Sequence, residues 1–215
     1  MSDRFEFIKA NTALIAPPLV PEVRLRLATE IVPLWRSTEE ELAARGVPPP
    51  YWAFAWAGGQ ALARYVIDNP SCVSGKTVLD FGSGSGLVGI AAAKAGARSV
   101  LASDTDGFAA AAIALNATLN EAAIAVTTDD VIGCSPQWQT VLVGDMCYER
   151  PLAERILAWL RECLAAGIEV LLGDPGRSYF PRDGVSRLAT YRVQTTRELE
   201  DREIRETGVY RLLPR

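Results

Sequence analysis

From residue 77 onward, short β-type runs alternate with helical ones, and this alternation constrains the fold more than any other feature of the chain. The expected strands are 77–81, 99–103, 124–128, 140–144 and 169–172, with helices at 87–94, 108–120 and 152–164 between them. Strands joined through helices pair in parallel and place ligands at their C-terminal ends. The pattern breaks in the tail. There 191–195 and 209–212 read as an antiparallel hairpin, and 196–208 is dense in mixed charge and reads as a solvated connection. The expectation is an α/β fold with a seven-stranded, mostly parallel sheet.

Ahead of this pattern, residues 1–47 read as helical and acidic. Ser37-Thr38-Glu39-Glu40-Glu41 resembles a helix start and Pro48-Pro49-Pro50 a stop. The expected division is therefore an N-terminal helical extension, 1–50, and a main domain, 51–215. Tyr51-Trp52-Ala53-Phe54-Ala55-Trp56 then sets four aromatics in six residues, and Gly58-Gly59-Gln60 leads into a helical run at 61–67.

Composition narrows the chemistry. The 215 residues, 49% hydrophobic and 22% charged, suffice for one domain with a sizeable core. The net charge of -4 opposes binding to nucleic acid. Residues 1–149 hold 10 basic and 16 acidic side chains, whereas 150–215 hold 12 and 10, a split that could orient a protein partner. The absence of histidine removes the commonest general base and zinc ligand. Cys72, Cys134, Cys147 and Cys163 form no C-x-x-C pair, so no metal is expected. A charged N-terminus and the lack of a long apolar run give the expectation of a cytoplasmic monomer with no membrane partner.

The sharpest local signal is Val78-Leu79-Asp80-Phe81-Gly82-Ser83-Gly84-Ser85-Gly86-Leu87-Val88-Gly89, a strand entering a glycine loop and then a helix. Glycines let backbone amides approach a ligand closely. Gly84-x-Gly86-x-x-Gly89 also satisfies the dinucleotide fingerprint, and Asp104 could hold ribose hydroxyls in either case. Asp80 favours a different ligand. A carboxylate there sits badly beside a pyrophosphate and suits the ammonium group of the cationic S-adenosylmethionine.

The D-x-G-x-G-x-G loop, with an acidic strand end and the later Val143-Gly144-Asp145-Met146-Cys147-Tyr148, resembles the class I, seven-β-strand methyltransferases, whose sheet is Rossmann-like. Pro50-Tyr51-Trp52-Ala53, Trp56-Ala57-Gly58-Gly59-Gln60-Ala61-Leu62 and Gly173-Asp174-Pro175-Gly176-Arg177 narrow the resemblance to the lysine methyltransferases of the electron transfer flavoprotein β-subunit.

That resemblance implies that Asp80, Gly82, Gly84 and Gly86 wrap the methionine part of S-adenosylmethionine, and that Trp56, Gly58 and Gly59 close that end. Asp104 would hold the ribose, with Asp106 capping the next helix, and Asp129 or Asp130 would hold the adenine amino group. It places the acceptor amine at Asp145 with Tyr148 as a wall, in a setting desolvated by Trp52 and Trp56 and edged by Glu149 and Arg177. Trp35, Trp138 and Trp159 are expected to fill the core. The chain departs from the family pattern at Cys147, where an aromatic commonly stands, and at Glu149, where an aspartate does. The implied activity is methylation of a protein lysine, with the flavoprotein β-subunit as partner. Alternatives are a ribosomal or other protein or a small amine as acceptor, a non-catalytic S-adenosylmethionine-binding regulatory module, or a nicotinamide-dependent dehydrogenase.

Overall fold

Among the residues that the computed structural model describes, 2–29, 49–195 and 203–214, the N-terminal lead is helical over Ser2–Asn11 (α1). It continues into an antiparallel pair, Ala13–Ile15 (β1) and Leu25–Leu27 (β2), with Ala13 opposite Leu27. Over residues 12–29 this corrects the expectation of a helix. Pro17, Pro18 and Pro21 remove amide donors and block helical continuation, while Val20, Val23, Leu25 and Leu27 are buried in the main core. The helix start expected at Ser37–Glu41, and Trp35, lie outside the described residues.

A single 3₁₀ turn at Tyr51–Ala53 precedes the helix Ala57–Asp68 (α2). Then follow Thr77–Phe81 (β3), Leu87–Lys94 (α3), Ser99–Ser103 (β4), Gly107–Leu119 (α4), Ala125–Thr127 (β5), Thr140–Gly144 (β6) and Arg150–Ala165 (α5). The chain ends with Glu169–Asp174 (β7), Val185–Gln194 (β8) and Ile204–Leu212 (β9). The seven main strands form one sheet in the order β5-β4-β3-β6-β7-β9-β8. The first five are parallel, and β9 runs antiparallel to both β7 and β8. This is the expected Rossmann-like architecture.

The tail departs from its expected bounds. β8 begins six residues before 191, and Ile204–Gly208, assigned to a charged connection, belongs to β9. As an edge strand, β8 alternates partly exposed and exposed positions for most of its length, which hides it from a search for apolar runs. β7 extends through Gly173 to Asp174, paired with Val209 and Gly208, so part of the Gly173–Arg177 turn is strand.

The two faces of the sheet bury alternate residues of each strand. Leu142 and Leu171 pack with Leu62 and Val66 of α2, Ile90 of α3 and the β1–β2 region. Val141, Val143, Val170 and Leu172 pack on the other face against Ile156, Trp159 and Leu160 of α5. Trp159 is a core residue, as expected, and Trp138 packs partly buried against it. A third cluster joins Ile8 of α1 to Trp52, Phe54 and Ala112 of α4. The strand order reverses between β3 and β6, so a crevice opens at their C-terminal ends, where such sheets bind ligands.

Candidate functional site

A cavity of about 490 Å³ occupies this crevice, walled by the ends of β3, β4 and β6. Its floor is the glycine loop. Gly82 and Gly84 line the cavity with φ of +63° and +55°, in the left-handed region that glycine enters without a Cβ penalty. A Cβ on Gly82 would collide with the Met146 side chain, so glycine here also permits close approach of the loop to the β6 exit.

Asp80 does not line this cavity. It is 1% exposed, and its Oδ2 accepts from Ser83 Oγ at 2.5 Å and from Gly89 N at 2.8 Å. The side chain braces the loop against the first turn of α3, set back from the cavity where the ligand's ammonium group is expected. Desolvation pushes its pKa up to about 6. Gly86 likewise stands back from the cavity, packed against Ile113 as the N-cap of α3.

Asp104, leaving β4, does face the cavity. Its Oδ2 accepts from Gly84 N at 2.9 Å and its Oδ1 from Asp106 N at 3.0 Å. The carboxylate thus ties two loops together with acceptor capacity to spare. Desolvation raises its pKa. Asp106 caps α4 through Phe108 N at 2.8 Å, as expected. Asp129 and Asp130 both line the far end beside Val131 and Ile132. Asp130 is ion-paired with Arg155 and accepts from Ile132 N, whereas Asp129 is engaged by Thr127 Oγ1 at 3.0 Å.

Five acids and two arginines line the cavity, a formal charge of -3. The pairing of Asp130 with Arg155 and of Asp145 with Arg177 leaves Asp104, Asp106 and Asp129 unbalanced by either arginine. Trp52 contributes to the wall, and its indole Nε1 has no hydrogen-bond partner among the described residues. Excess negative charge, acceptors at a strand end, an apolar slot at Val131–Ile132 and a spare buried donor fit S-adenosylmethionine. The same charge opposes a diphosphate, so the dinucleotide alternative loses its footing.

At the β6 exit, Asp145 adopts φ of +58°, a left-handed conformation that aspartate tolerates better than most residues. Its carboxylate is buried at 7% exposure. Oδ1 accepts from Arg177 Nε at 2.7 Å, and Oδ2 from Gly58 N in the first turn of α2. Desolvation raises its pKa, with Arg177 and the α2 amides opposing that shift. Gly58 of α2 therefore serves packing. A Cβ on Gly58 would run into Gly173 O and stand 2.7 Å from Asp145 Oδ2, and Gly59 lies against Gly144. Neither lines the cavity whose methionine end the sequence expects them to close.

The mouth is aromatic. Tyr148 and Tyr51 stand 5.8 Å apart between ring centroids, Tyr51 lies 6.1 Å from Trp56, and Arg177 stacks 5.8 Å over the Trp56 ring. Tyr51 and Tyr148 are both solvent-exposed, and desolvation raises the pKa of Tyr148. Trp52 is not at this mouth. It is buried, stacked 6.2 Å from Phe108 and beside Gly84, which moves it from the expected acceptor side to the floor. Glu149 is exposed outside the cavity, as the extended N-cap residue of α5. Sequence reasoning passed over Tyr51 and Met146 as site residues. Tyr51 carried a signal, since it opens the aromatic run directly after the proline stop.

Residues 61–143 match the family model described as Ribosomal protein L11 methyltransferase (PrmA). The chain is 39% identical over 213 residues to the electron transfer flavoprotein beta subunit lysine methyltransferase of Danio rerio, covering 95% of this chain and 81% of that protein. It is 39% identical over 215 residues to the protein of the same name from Xenopus laevis, covering 97% and 86%. Among solved structures it is similar to a ribosomal protein L11 methylase from Lactobacillus delbrueckii subsp. bulgaricus. The TM-score is 0.52 at 21% identity over 75% of this chain and 81% of the other, a likeness of fold.

Proposed function

Because the chain belongs to the electron transfer flavoprotein β-subunit lysine methyltransferase family, we propose that its acceptor is a lysine of that subunit and that the cavity mouth receives it. The chain is an S-adenosylmethionine-dependent protein-lysine methyltransferase. The observation that carries the acceptor reading is one continuous cavity with Asp104 at its nucleoside end and Asp145 and Tyr148 at its mouth. The flavoprotein-methylating relative from Danio rerio aligns with 95% of this chain at 39% identity, against 68% at 36% for the ribosomal protein L11 methyltransferase of Prochlorococcus marinus. This wider likeness supports the flavoprotein subunit over a ribosomal protein.

S-adenosylmethionine supplies an electrophilic methyl group carried on a sulfonium. In the proposed site, Asp104 accepts from the ribose hydroxyls, Asp129 accepts from the adenine amino group, and Val131 and Ile132 cover the base. Gly82 and Gly84 form the surface against which the methionine part rests. A lysine amine has an ordinary pKa of about 10.4, so only a small fraction is reactive near neutral pH. Tyr51, Trp56 and Tyr148 strip water from the amine at the mouth, which favours its neutral form. Asp145 aligns it and, being already paired with Arg177, exerts less pull toward the ammonium. Positioning of amine and methyl for in-line attack supplies most of the remaining rate. The proton released passes to water, and no covalent intermediate forms.

The test is incubation with S-adenosylmethionine and the purified flavoprotein β-subunit, read by intact mass and peptide mapping. A methylated lysine is expected. An unmodified subunit, with labelling of another protein in whole-cell extract, refutes the named acceptor, and label confined to small molecules refutes a protein acceptor.

A further inference from the structure

Asp174, at the end of β7, has no role in the mechanism above, yet it is 2% exposed and lies behind the mouth. Its Oδ1 accepts from two successive backbone amides, Gly176 N and Arg177 N, each at 2.7 Å. Its Oδ2 is buried with no hydrogen-bond partner among the described residues. Burial of a carboxyl with one oxygen unsatisfied is destabilising in itself. What the residue supplies is geometry. The two bonds to Oδ1 close a turn whose Gly176 sits at φ of +88°, and the chain doubles back so that Arg177 Nε meets Asp145 Oδ1.

We propose that Asp174 is a positioning residue for methyl transfer: its carboxyl folds the Asp174–Arg177 turn that delivers the guanidinium onto Asp145, and so sets the charge the acceptor amine meets. This deepens the function proposed above and rests on it. Asp145 is held by amides of α2 and by the guanidinium that this turn delivers. With Arg177 in place, the acid that aligns the amine is balanced, and an arriving ammonium gains little from it. With Arg177 displaced, Asp145 would hold the lysine in its charged, unreactive form. The effect falls on turnover, because Asp174 stands apart from the cavity wall.

Two variants at the site separate geometry from bulk. Asp174→Asn keeps the volume and an Oδ1 acceptor, and Asp174→Ala removes both. In nitrogen–proton NMR spectra of the whole protein, the Arg177 Nε–H resonance, assigned by its loss in Arg177→Lys, is expected to exchange slowly in the native protein and in D174N and to lose protection in D174A. In methylation assays D174A is expected to lower kcat by about tenfold, to move the optimum to higher pH and to leave the affinity for S-adenosylhomocysteine unchanged, with D174N largely rescued. Combining D174A with Arg177→Ala is expected to add no further loss to that of R177A alone. Gly176→Ala probes the same turn from solvent, with open space around the added Cβ, should D174A fail to fold. It is expected to lower kcat with the same sparing of product affinity. Retained Nε–H protection in D174A, a D174N defect equal to that of D174A, additive losses, or native kcat in G176A overturns the proposal. If the native enzyme methylates no protein, the function proposed above fails, and the resonance decides this one.

Discussion

Replacing Asp104 with Ala tests the nucleoside end of the cavity most directly. An ionised carboxylate offers about four acceptor positions, and two are filled here by Gly84 N and Asp106 N. Roughly two remain, enough for both ribose hydroxyls. A hydrogen bond to a charged group is worth about 1.5–3 kcal/mol. Loss of both, partly offset by water entering the gap, weakens binding by about 3 kcal/mol or roughly 100-fold in Kd. The assay is calorimetric titration with S-adenosylhomocysteine, which binds without turning over, alongside a thermal melt to verify folding. Asp80→Asn is the matched control. It changes a carboxylate that braces the loop from outside the cavity, and it is expected to weaken binding far less. An Asp104→Ala protein that melts normally and binds within about threefold of native would refute the assignment, as would an Asp80 defect exceeding that of Asp104.

Gly58→Ala drives a Cβ into Gly173 O and toward Asp145 Oδ2. Such overpacking destabilises by about 2 kcal/mol, a fall of about 4–8 °C in Tm by scanning calorimetry. Gly59→Ala meets only Val88 at 4.0 Å and is expected to leave Tm unchanged or slightly raised. Tyr51→Ala opens the mouth and is expected to raise KM for the protein acceptor about tenfold, with product affinity unaffected in calorimetry. Burial lifts Asp174 to about 7 and Asp80 to about 6. The native state therefore holds protons that the unfolded chain releases near pH 4. Their stabilisation is full below that pH and is lost as pH rises through 6 to 7, so Tm is expected to fall across this window. D174N is expected to flatten the fall, and an identical slope would refute the assignment. The charged and titratable groups acting on Asp174 are Asp145, Arg177 and Cys147.

Local pattern alone carried the strand–helix alternation, the glycine loop, the Asp106 cap and the acid at the end of β4, because each depends on neighbours close in sequence. Apolar runs and turn residues are written into those segments, and their spacing restricts the sheet to a parallel one. The sequence also named Asp145, Tyr148 and Arg177 as candidates, but not that Asp145 and Arg177 are bonded across 32 positions. That pairing exists because β6 and β7 lie side by side and both exits turn toward α2. The differences in placement have the same origin. Asp80 and Asp104 both stand at strand ends beside glycines, and only the packing of α3 over one of them decides which faces the ligand. Gly58 and Gly59 read as a ligand loop because glycine pairs serve close approach of any kind, and the sheet against which they pack is distant in the chain. Chain-local propensity thus determined the scaffold and the chemical alphabet of the site, whereas burial and the direction of each carboxylate came from contacts between segments far apart in sequence.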